Sequence, residues 1–216
     1  MGTRYPIPAG ARLRVITVSG RVEVIGEARD DIEIDPPDRR LGAAEDERYV
    51  ETRARSTNLK VRVPTGMNVT VGTVSGDIRL VGLLGTIKVG SVSGKVSIER
   101  ASGDADIRSI SGSIEVVGCG GDCRANTKSG RIEIGHVGGA IRAHTMSGRI
   151  DVGTAGRAEV EVKTISGGIS VHVDHGRAPR AKLRTLSGRT RCDCPPGEDF
   201  EIRASSLSGS IDVEPR

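Results

Sequence analysis

Apolar and polar residues alternate along most of this chain in short segments that glycine separates. Three of these segments show the same spacing, in which two apolar residues flank one polar residue: Ile114 and Val116, Ile132 and Ile134, and Ile150 and Val152. Alternation with a period of two is typical of a half-buried β-strand. Glycine at the segment ends allows tight reversals that other residues disfavour. The pattern therefore predicts many short strands joined by sharp corners.

The corners recur at a nearly constant spacing. Ser-Gly occurs ten times, and the serines from residue 75 onward follow at steps of eighteen residues and then of nineteen, twenty-one and twenty-one: Ser75, Ser93, Ser111, Ser129, Ser147, Ser166, Ser187 and Ser208. Ser19 and Ser102 lie outside this register or halfway along it. A fixed period of this kind indicates a stack of similar units, each in contact with its neighbours.

Alignment of the segments gives a smaller unit of about nine residues, two for each coil. The unit reads apolar, Ser or Gly, Gly, any residue, apolar, any residue, apolar, and then two turn residues. Short strands, glycine corners and a constant period predict an all-β fold, a single-stranded β-helix or β-solenoid of about 18–21 residues per coil. With coils about 4.8 Å apart, the coils from Ser75 to Ser208 would form a rod roughly 34 Å long.

The first seventy residues show a less regular pattern. We expect residues 1–70 to form strands that cap the solenoid, and residues 71–216 to form its coils as one continuous domain, because an open coil exposes unpaired edge groups. At the other end we expect the solenoid to stop at Ile211–Arg216, where Pro215 and flanking charges only partly protect the edge.

Each repeated Ser-Gly pair is predicted to be a structural corner, with glycine at the bend and the serine hydroxyl bonded to nearby backbone amides. The glycines that follow the eight regularly spaced serines are Gly76, Gly94, Gly112, Gly130, Gly148, Gly167, Gly188 and Gly209. A nucleophilic serine requires a base that activates one particular residue. The same serine repeated at every corner therefore predicts no catalytic site.

Outward positions on successive strands form ladders of polar side chains. Arg131, Arg149, Arg189 and Arg191 fall on these ladders and form our candidate interaction face. The alternative is a solvated charged face, in which ion pairs between coils relieve the repulsion of stacked like charges.

The net charge of +4 comes from 32 basic and 28 acidic residues that are interspersed along the chain. This distribution lacks the clustered basic stripe of a nucleic-acid-binding protein, so no nucleic-acid partner is expected. The chain has no run of eighteen apolar residues and no apolar segment at its start that resembles a signal sequence. We therefore expect a cytoplasmic protein without membrane insertion.

Four cysteines occur as two close pairs. Cys119 and Cys123 replace inward apolar residues, Cys192 replaces a strand aliphatic, and Cys194 follows two residues later. Buried thiols that pack as small apolar groups are the expected result. The pairs are separated by three to four coils, too far for one tetrahedral zinc site. We predict no metal and no cofactor. The single long insertion near the repeats, His172–Ala181, is too little to build a solenoid enzyme groove.

Three sequence elements carry a resemblance to a known family: Ser19 to Val24, Val63 to Gly66, and Thr73 to Ile78. Together they resemble the bacterial family called "putative adhesin", a β-strand-repeat domain of unknown function, from about Leu13 to Val213. The resemblance implies a β-helical domain, often attached to a membrane anchor or encoded near envelope-stress genes. It supplies no catalytic residues to transfer to this chain.

These observations predict a non-enzymatic scaffold that acts through protein partners or self-association, which allows a homo-oligomer. One alternative is a ligand-binding or envelope-stress sensing module that uses the arginine face. A degenerate β-helix enzyme acting on carbohydrates is the third interpretation.

Overall fold

The structure is a computed structural model that describes residues 3–7, 11–36, 49–154 and 159–216. These residues form twenty-two strands in two long sheets, and they include no helix that could cross a membrane. Sheet A contains β1 (Thr3–Pro6), β3 (Val22–Glu27), β4 (Asp31–Asp35), β6 (Leu59–Pro64), β8 (Ile78–Leu84), β10 (Val96–Ala101), β12 (Ile114–Cys119), β14 (Ile132–Val137), β16 (Ile150–Thr154), β18 (Ile169–Val173), β20 (Thr190–Cys192) and β22 (Ile211–Pro215). Sheet B contains β2 (Arg12–Ser19), β5 (Tyr49–Ser56), β7 (Asn68–Ser75), β9 (Ile87–Ser93), β11 (Ala105–Ser111), β13 (Cys123–Ser129), β15 (Ile141–Ser147), β17 (Val160–Ser166), β19 (Arg180–Ser187) and β21 (Glu201–Ser208).

One coil consists of a strand in sheet B, a corner, a strand in sheet A and a second corner. Strands of successive coils pair in parallel, and in the regular part of the stack Ile107 is aligned with Ala125 and Ala125 with Ala143, eighteen residues apart. Parallel pairing at a constant offset defines a solenoid. The predicted all-β solenoid is confirmed.

The core lies between the two sheets and is filled by aliphatic side chains from alternate positions. The paired residues that the sequence pattern identified, such as Ile132 and Ile134, are buried in the structure. Cys119 and Cys123 are also buried, as predicted. Alternation in the sequence thus translates directly into inward and outward faces of each strand.

The order of the coils differs from the order of the chain at both ends of the stack. The coil β2/β3 lies between β5/β6 and β7/β8, and the coil β21/β22 lies between β17/β18 and β19/β20. The last strands of the chain are therefore internal, and the expectation that the solenoid stops at Ile211–Arg216 is wrong. Ile202 and Ile211 of the inserted coil are fully buried, whereas Leu183 of β19 is only half-buried. The more apolar coil occupies the inner position because burial there stabilises it more.

Two antiparallel strands extend sheet A beyond the first coil. β4 pairs with β6, and β1 pairs with β4. Ile32 and Ile34 of β4 are fully buried, so this end of the sheet is closed by an apolar strand. The coil β2/β3 pairs in register with β5/β6 on one side and with β7/β8 on the other. The division of the chain into residues 1–70 and 71–216 stays a prediction.

Candidate interaction surfaces

The corner serines of sheet B form one ladder along the side of the solenoid. In spatial order the ladder contains Ser56, Ser19, Ser75, Ser93, Ser111, Ser129, Ser147, Ser166, Ser208 and Ser187. Ser19, which appears outside the register in the sequence, lies inside the ladder because its coil inserts beside β7. Nine steps of about 4.8 Å give a stack roughly 43 Å long, longer than the coil count from Ser75 onward predicts.

The corner glycines stack at main-chain contact. Gly148 has a φ of +146°, and a β-carbon on it would overlap the carbonyl oxygen of Gly130 in the preceding coil. The same overlap with a neighbouring corner glycine would occur at the other predicted positions: Gly76, Gly94, Gly112, Gly130, Gly167, Gly188 and Gly209. The spacing between coils leaves no room for a side chain at this corner.

A column of buried hydroxyl groups supports these corners from inside. Its members in the core are Thr17, Thr73, Ser91, Ser109, Thr127, Thr145, Thr164 and Ser206. The Thr145 hydroxyl donates to the carbonyl oxygen of Ser147 at 3.3 Å, and the Thr127 hydroxyl donates to that of Ser129 at 3.2 Å. Sequence reasoning missed this column, although a Ser or Thr stands two residues before every one of the eight regularly spaced corner serines.

The corner serines themselves are mostly exposed or half-buried. Among the described hydrogen bonds of the eight regularly spaced serines, the side chain of Ser93 donates to the Val74 carbonyl oxygen at 3.3 Å. In the coil β2/β3, the Ser19 hydroxyl donates to the Arg55 carbonyl oxygen at 3.2 Å. Both bonds join neighbouring coils, and both acceptors are carbonyl groups and not the predicted amides.

The four arginines of the candidate interaction face do not lie together. Arg131 and Arg149 belong to adjacent coils, but Arg189 and Arg191 lie in the terminal coil, three strands beyond β16 in sheet A. That separation is about 14 Å. The set therefore forms two separate patches and not one continuous face.

Ion pairs neutralise much of the first patch. Arg131 lies 2.7 Å from Glu133 in its own strand and 2.8 Å from Asp151 in the next coil. In the same way, Lys95 lies 2.6 Å from Glu115 of the next coil. The Glu115 carboxylate raises the pKa of Lys95. The expected ion pairs between coils are thus present, and they make this part of sheet A a mixed charged surface.

An exposed apolar ridge runs along the outer face of sheet B, beside the serine ladder. Its residues, which we call the apolar ridge, each directly precede a corner serine and are 41% to 81% exposed: Val18, Val74, Val92, Ile110, Met146, Ile165, Leu207 and Leu186. Lys128 occupies the equivalent position in the central coil. Outward aliphatic side chains in four consecutive coils on each side of Lys128 form an extended apolar surface, which is unusual on an isolated soluble domain.

A shallow depression of about 580 Å³ borders the ridge on sheet B. His144, Lys163, Met146 and Ile165 are among its lining residues. Burial, and then the charge of Lys163, lower the pKa of His144, so the imidazole is held neutral. A hydrogen bond from Lys163 lowers the pKa of Glu161 in the same strand.

The cysteines fall into two environments. A hydrogen bond with Cys119 and burial raise the pKa of Cys123, which keeps its thiol protonated. Cys192 is exposed and Cys194 is half-buried, so the prediction of buried thiols is wrong for this pair. Both lie in or just after the terminal coil, where no further coil of the described residues covers the inward positions. Within the described ranges, no cluster of three or more histidine, cysteine or acidic residues could hold a metal ion, and the absence of a metal stays a prediction.

Comparisons with known proteins identify the family of this fold. A search of curated proteins found no match. A solved structure described as a "putative cell adhesion protein" from Clostridium sporogenes aligns over 100% of both chains with 10% identity and a TM-score of 0.31, which is too low to support an argument. The family model described as Toastrack DUF4097 matches residues 17–185. The resemblance to a β-strand-repeat family of unknown function is confirmed, and the chain belongs to the Toastrack DUF4097 family.

Proposed function

We propose that this protein is a non-enzymatic scaffold that acts through protein–protein contacts, and that the apolar ridge joins two copies side by side. The observation that carries the proposal is the row of exposed aliphatic side chains on one outer face of sheet B. Patches of this kind, bordered by polar residues, mark surfaces that another protein covers.

A second copy of the chain matches the ridge better than an unrelated globular surface does. Two identical ladders share the same repeat of about 4.8 Å, so their side chains can interdigitate along the whole length. Each ridge side chain is about half exposed, and burying that half contributes about 1 kcal/mol. The ridges of both copies together can therefore offset the roughly 4–15 kcal/mol that association costs.

Lys128 limits this association. Four ridge residues lie on each side of it in the ladder, from Val18 to Ile110 and from Met146 to Leu186. In an antiparallel pair with full overlap, the two Lys128 side chains would face each other across the interface. Repulsion between like charges would weaken such a pair and keep it reversible.

The arginine face supports a ligand-binding role less well, because its cations are split between two patches and Arg131 is already neutralised by Glu133 and Asp151. The described residues give less support to a role as an enzyme. The corner serines are repeated in every coil, and no single one is paired with a base by a described hydrogen bond.

Light scattering across a concentration series tests the proposal. We expect the wild type to show a rise in mass at micromolar concentrations, Ile165→Glu to abolish that rise, and Lys128→Met to shift it to lower concentration. Lys88 lies on the same outer face of sheet B but outside the ridge, so Lys88→Glu and Lys88→Met are the matched controls. A wild type that stays monomeric at high micromolar concentration, or variants that match their controls, would contradict the proposal.

A further inference from the structure

The terminal coil leaves an unpaired strand edge at one end of sheet B. β19 pairs with β21 on one side, and no other described strand pairs with it. The Arg180 amide donates to the Phe200 carbonyl oxygen at 2.8 Å, so Arg180 directs its main-chain groups toward the stack. Main-chain direction alternates along a strand. The amides and carbonyls of Ala181, Leu183 and Thr185 therefore point away from β21.

Apart from the charged side chains that β19 carries, this edge lacks the features that usually protect an edge strand. β19 is eight residues long and contains no proline and no bulge in its pairing with β21 up to Thr185. Natural edge strands are commonly short, or blocked by proline, a bulge or a covering element. An edge of this length without proline, bulge or cover can accept a further strand whose charge complements its own.

The side chains around the edge carry positive charge. One face of β19 carries Arg180, Lys182 and Arg184. Arg189 directly precedes β20, the next strand of the chain. Lys182 lies 2.5 Å from Glu201, but within the described part of the chain Arg180, Arg184 and Arg189 form no ion pair. The end of the solenoid thus presents cations without partners beside an open row of backbone groups.

Charge disfavours a second β19 strand at the same edge. Two β19 strands side by side would bring Arg180, Lys182 and Arg184 of one copy against the same cations of the other. A copy that continued the stack through β5 would align Arg53 with Arg184 but Glu51 with Lys182, which gives one unfavourable and one favourable pair. Like charges directly opposite in a sheet are destabilising. An acidic strand would instead neutralise these side chains.

The opposite face of β19 is apolar, and it determines which residues of a bound strand would be aliphatic. Ala181 and Leu183 are only half-buried, because they line the end of the core and no strand in the described part of the chain packs over them. An added strand would place alternate residues over this apolar end and the remaining ones beside the arginines. We infer that β19 binds an extended segment of a partner protein by strand addition, and that this segment alternates acidic and aliphatic residues. This site overlaps the apolar ridge only at Leu186.

Fluorescence anisotropy with an eight-residue labelled peptide of alternating glutamate and valine tests the inference on the full chain. We expect saturable binding that weakens with added salt, since exposed charges are screened. A peptide of alternating lysine and valine should not bind. Glutamate–valine peptides with N-methyl groups either on all glutamate amides or on all valine amides keep their charge, and each of the two blocks pairing along one edge of the peptide. Equal binding of the methylated and unmethylated peptides, or no binding of the acidic peptide, would overturn the inference.

Two variants locate the site. Leu183→Pro removes an outward amide while leaving the bonds to β21 in place, as edge positions tolerate, and Arg184→Glu reverses one charge. Each should weaken peptide binding by about tenfold, while Lys88→Glu on a distant coil should not. Thermal unfolding checks that the variants stay folded. Unchanged affinity in both folded variants would overturn the inference, as would a dimer of the wild type that Leu183→Pro dissolves. The ridge proposal is tested separately through Ile165, which lies in β17 and not in β19.

Discussion

The carbonyl oxygen of Gly130 occupies the space that a β-carbon on Gly148 would need. This relationship repeats from coil to coil, so the corner glycines act as spacers that hold the coils at strand-pairing distance. The positive φ of Gly148 adds a second requirement, because side chains rarely adopt that conformation. Glycine therefore meets both requirements: it adopts the positive φ of the corner, and it leaves room for the main chain of the neighbouring coil.

Gly148→Ala should lower the free energy of unfolding by about 2–4 kcal/mol, since backbone strain adds to a main-chain overlap. Gly90→Ala is the matched control, because Gly90 lies in a strand and a β-carbon there would meet nothing within 4 Å. We expect that control to change stability by less than about 1 kcal/mol, in the stabilising direction. Urea denaturation of both variants provides the measurement, and equal effects would refute the spacer role.

The buried hydroxyl column offers a pair of residues that differ in one hydrogen bond. Thr145→Val removes the bond to the Ser147 carbonyl and should cost about 1 kcal/mol. The hydroxyl of Thr164, equally buried, has no hydrogen-bond partner in the described structure. Thr164→Val should therefore leave stability unchanged or raise it. Denaturation midpoints compare the two, and a larger loss at Thr164 would contradict this assignment.

Stability should depend on pH through His144. Because burial lowers its pKa below the ordinary value of 6.5, the unfolded chain takes up the proton before the folded one does. The full stability is therefore present above about pH 6.5 and decreases as the pH falls toward the lower pKa of the folded state. Most carboxylates titrate below about pH 5, outside this window.

Melting temperatures at about pH 7.5 and about pH 5.5 check this effect. His144→Gln should reduce the difference between the two temperatures, while His175→Gln, at an exposed position, should not. A difference that is the same in the wild type and His144→Gln would exclude His144 as its source.

Thiol labelling should separate the two cysteine pairs. Under native conditions Cys192 should react readily because it is exposed, and Cys194 should follow because it is half-buried. Cys119 and Cys123 should react only when the protein unfolds, since both are buried and the Cys123 thiol stays protonated. Mass spectrometry of the labelled residues identifies the order. Early labelling of Cys123 would contradict the buried position of its coil.

The regular part of the solenoid could be predicted from the sequence because its determinants are local. The period-two spacing of Ile132 and Ile134 fixes which residues face inward, and the constant offset between corner serines fixes the register. The apolar ridge follows the same alternation. Because Thr145 faces inward, the alternation places the next residue, Met146, on the outer face. Its apolar side chain alone would instead suggest a position in the core.

The order of the terminal coils could not be predicted in this way. Ser187-Gly188 and Ser208-Gly209 have the same local pattern, so neither identifies the coil that lies inside. That choice depends on how much apolar surface a whole coil buries between two neighbours, as the comparison of Ile202 with Leu183 shows. Because the coil β21/β22 is inserted before it, the coil β19/β20 lies at the end of the stack. This position explains why Arg189 and Arg191 lie far from Arg149 and why Cys192 is exposed.

Small-angle X-ray scattering over a concentration series tests the central claim most directly, because it reports mass and maximum dimension together. Association through the ridge joins two rods side by side, so the mass should double while the maximum dimension stays close to that of one solenoid. The Ile165→Glu variant should keep the monomer mass throughout. A wild-type mass that stays monomeric at high concentration, or a maximum dimension that doubles with the mass, would contradict the account.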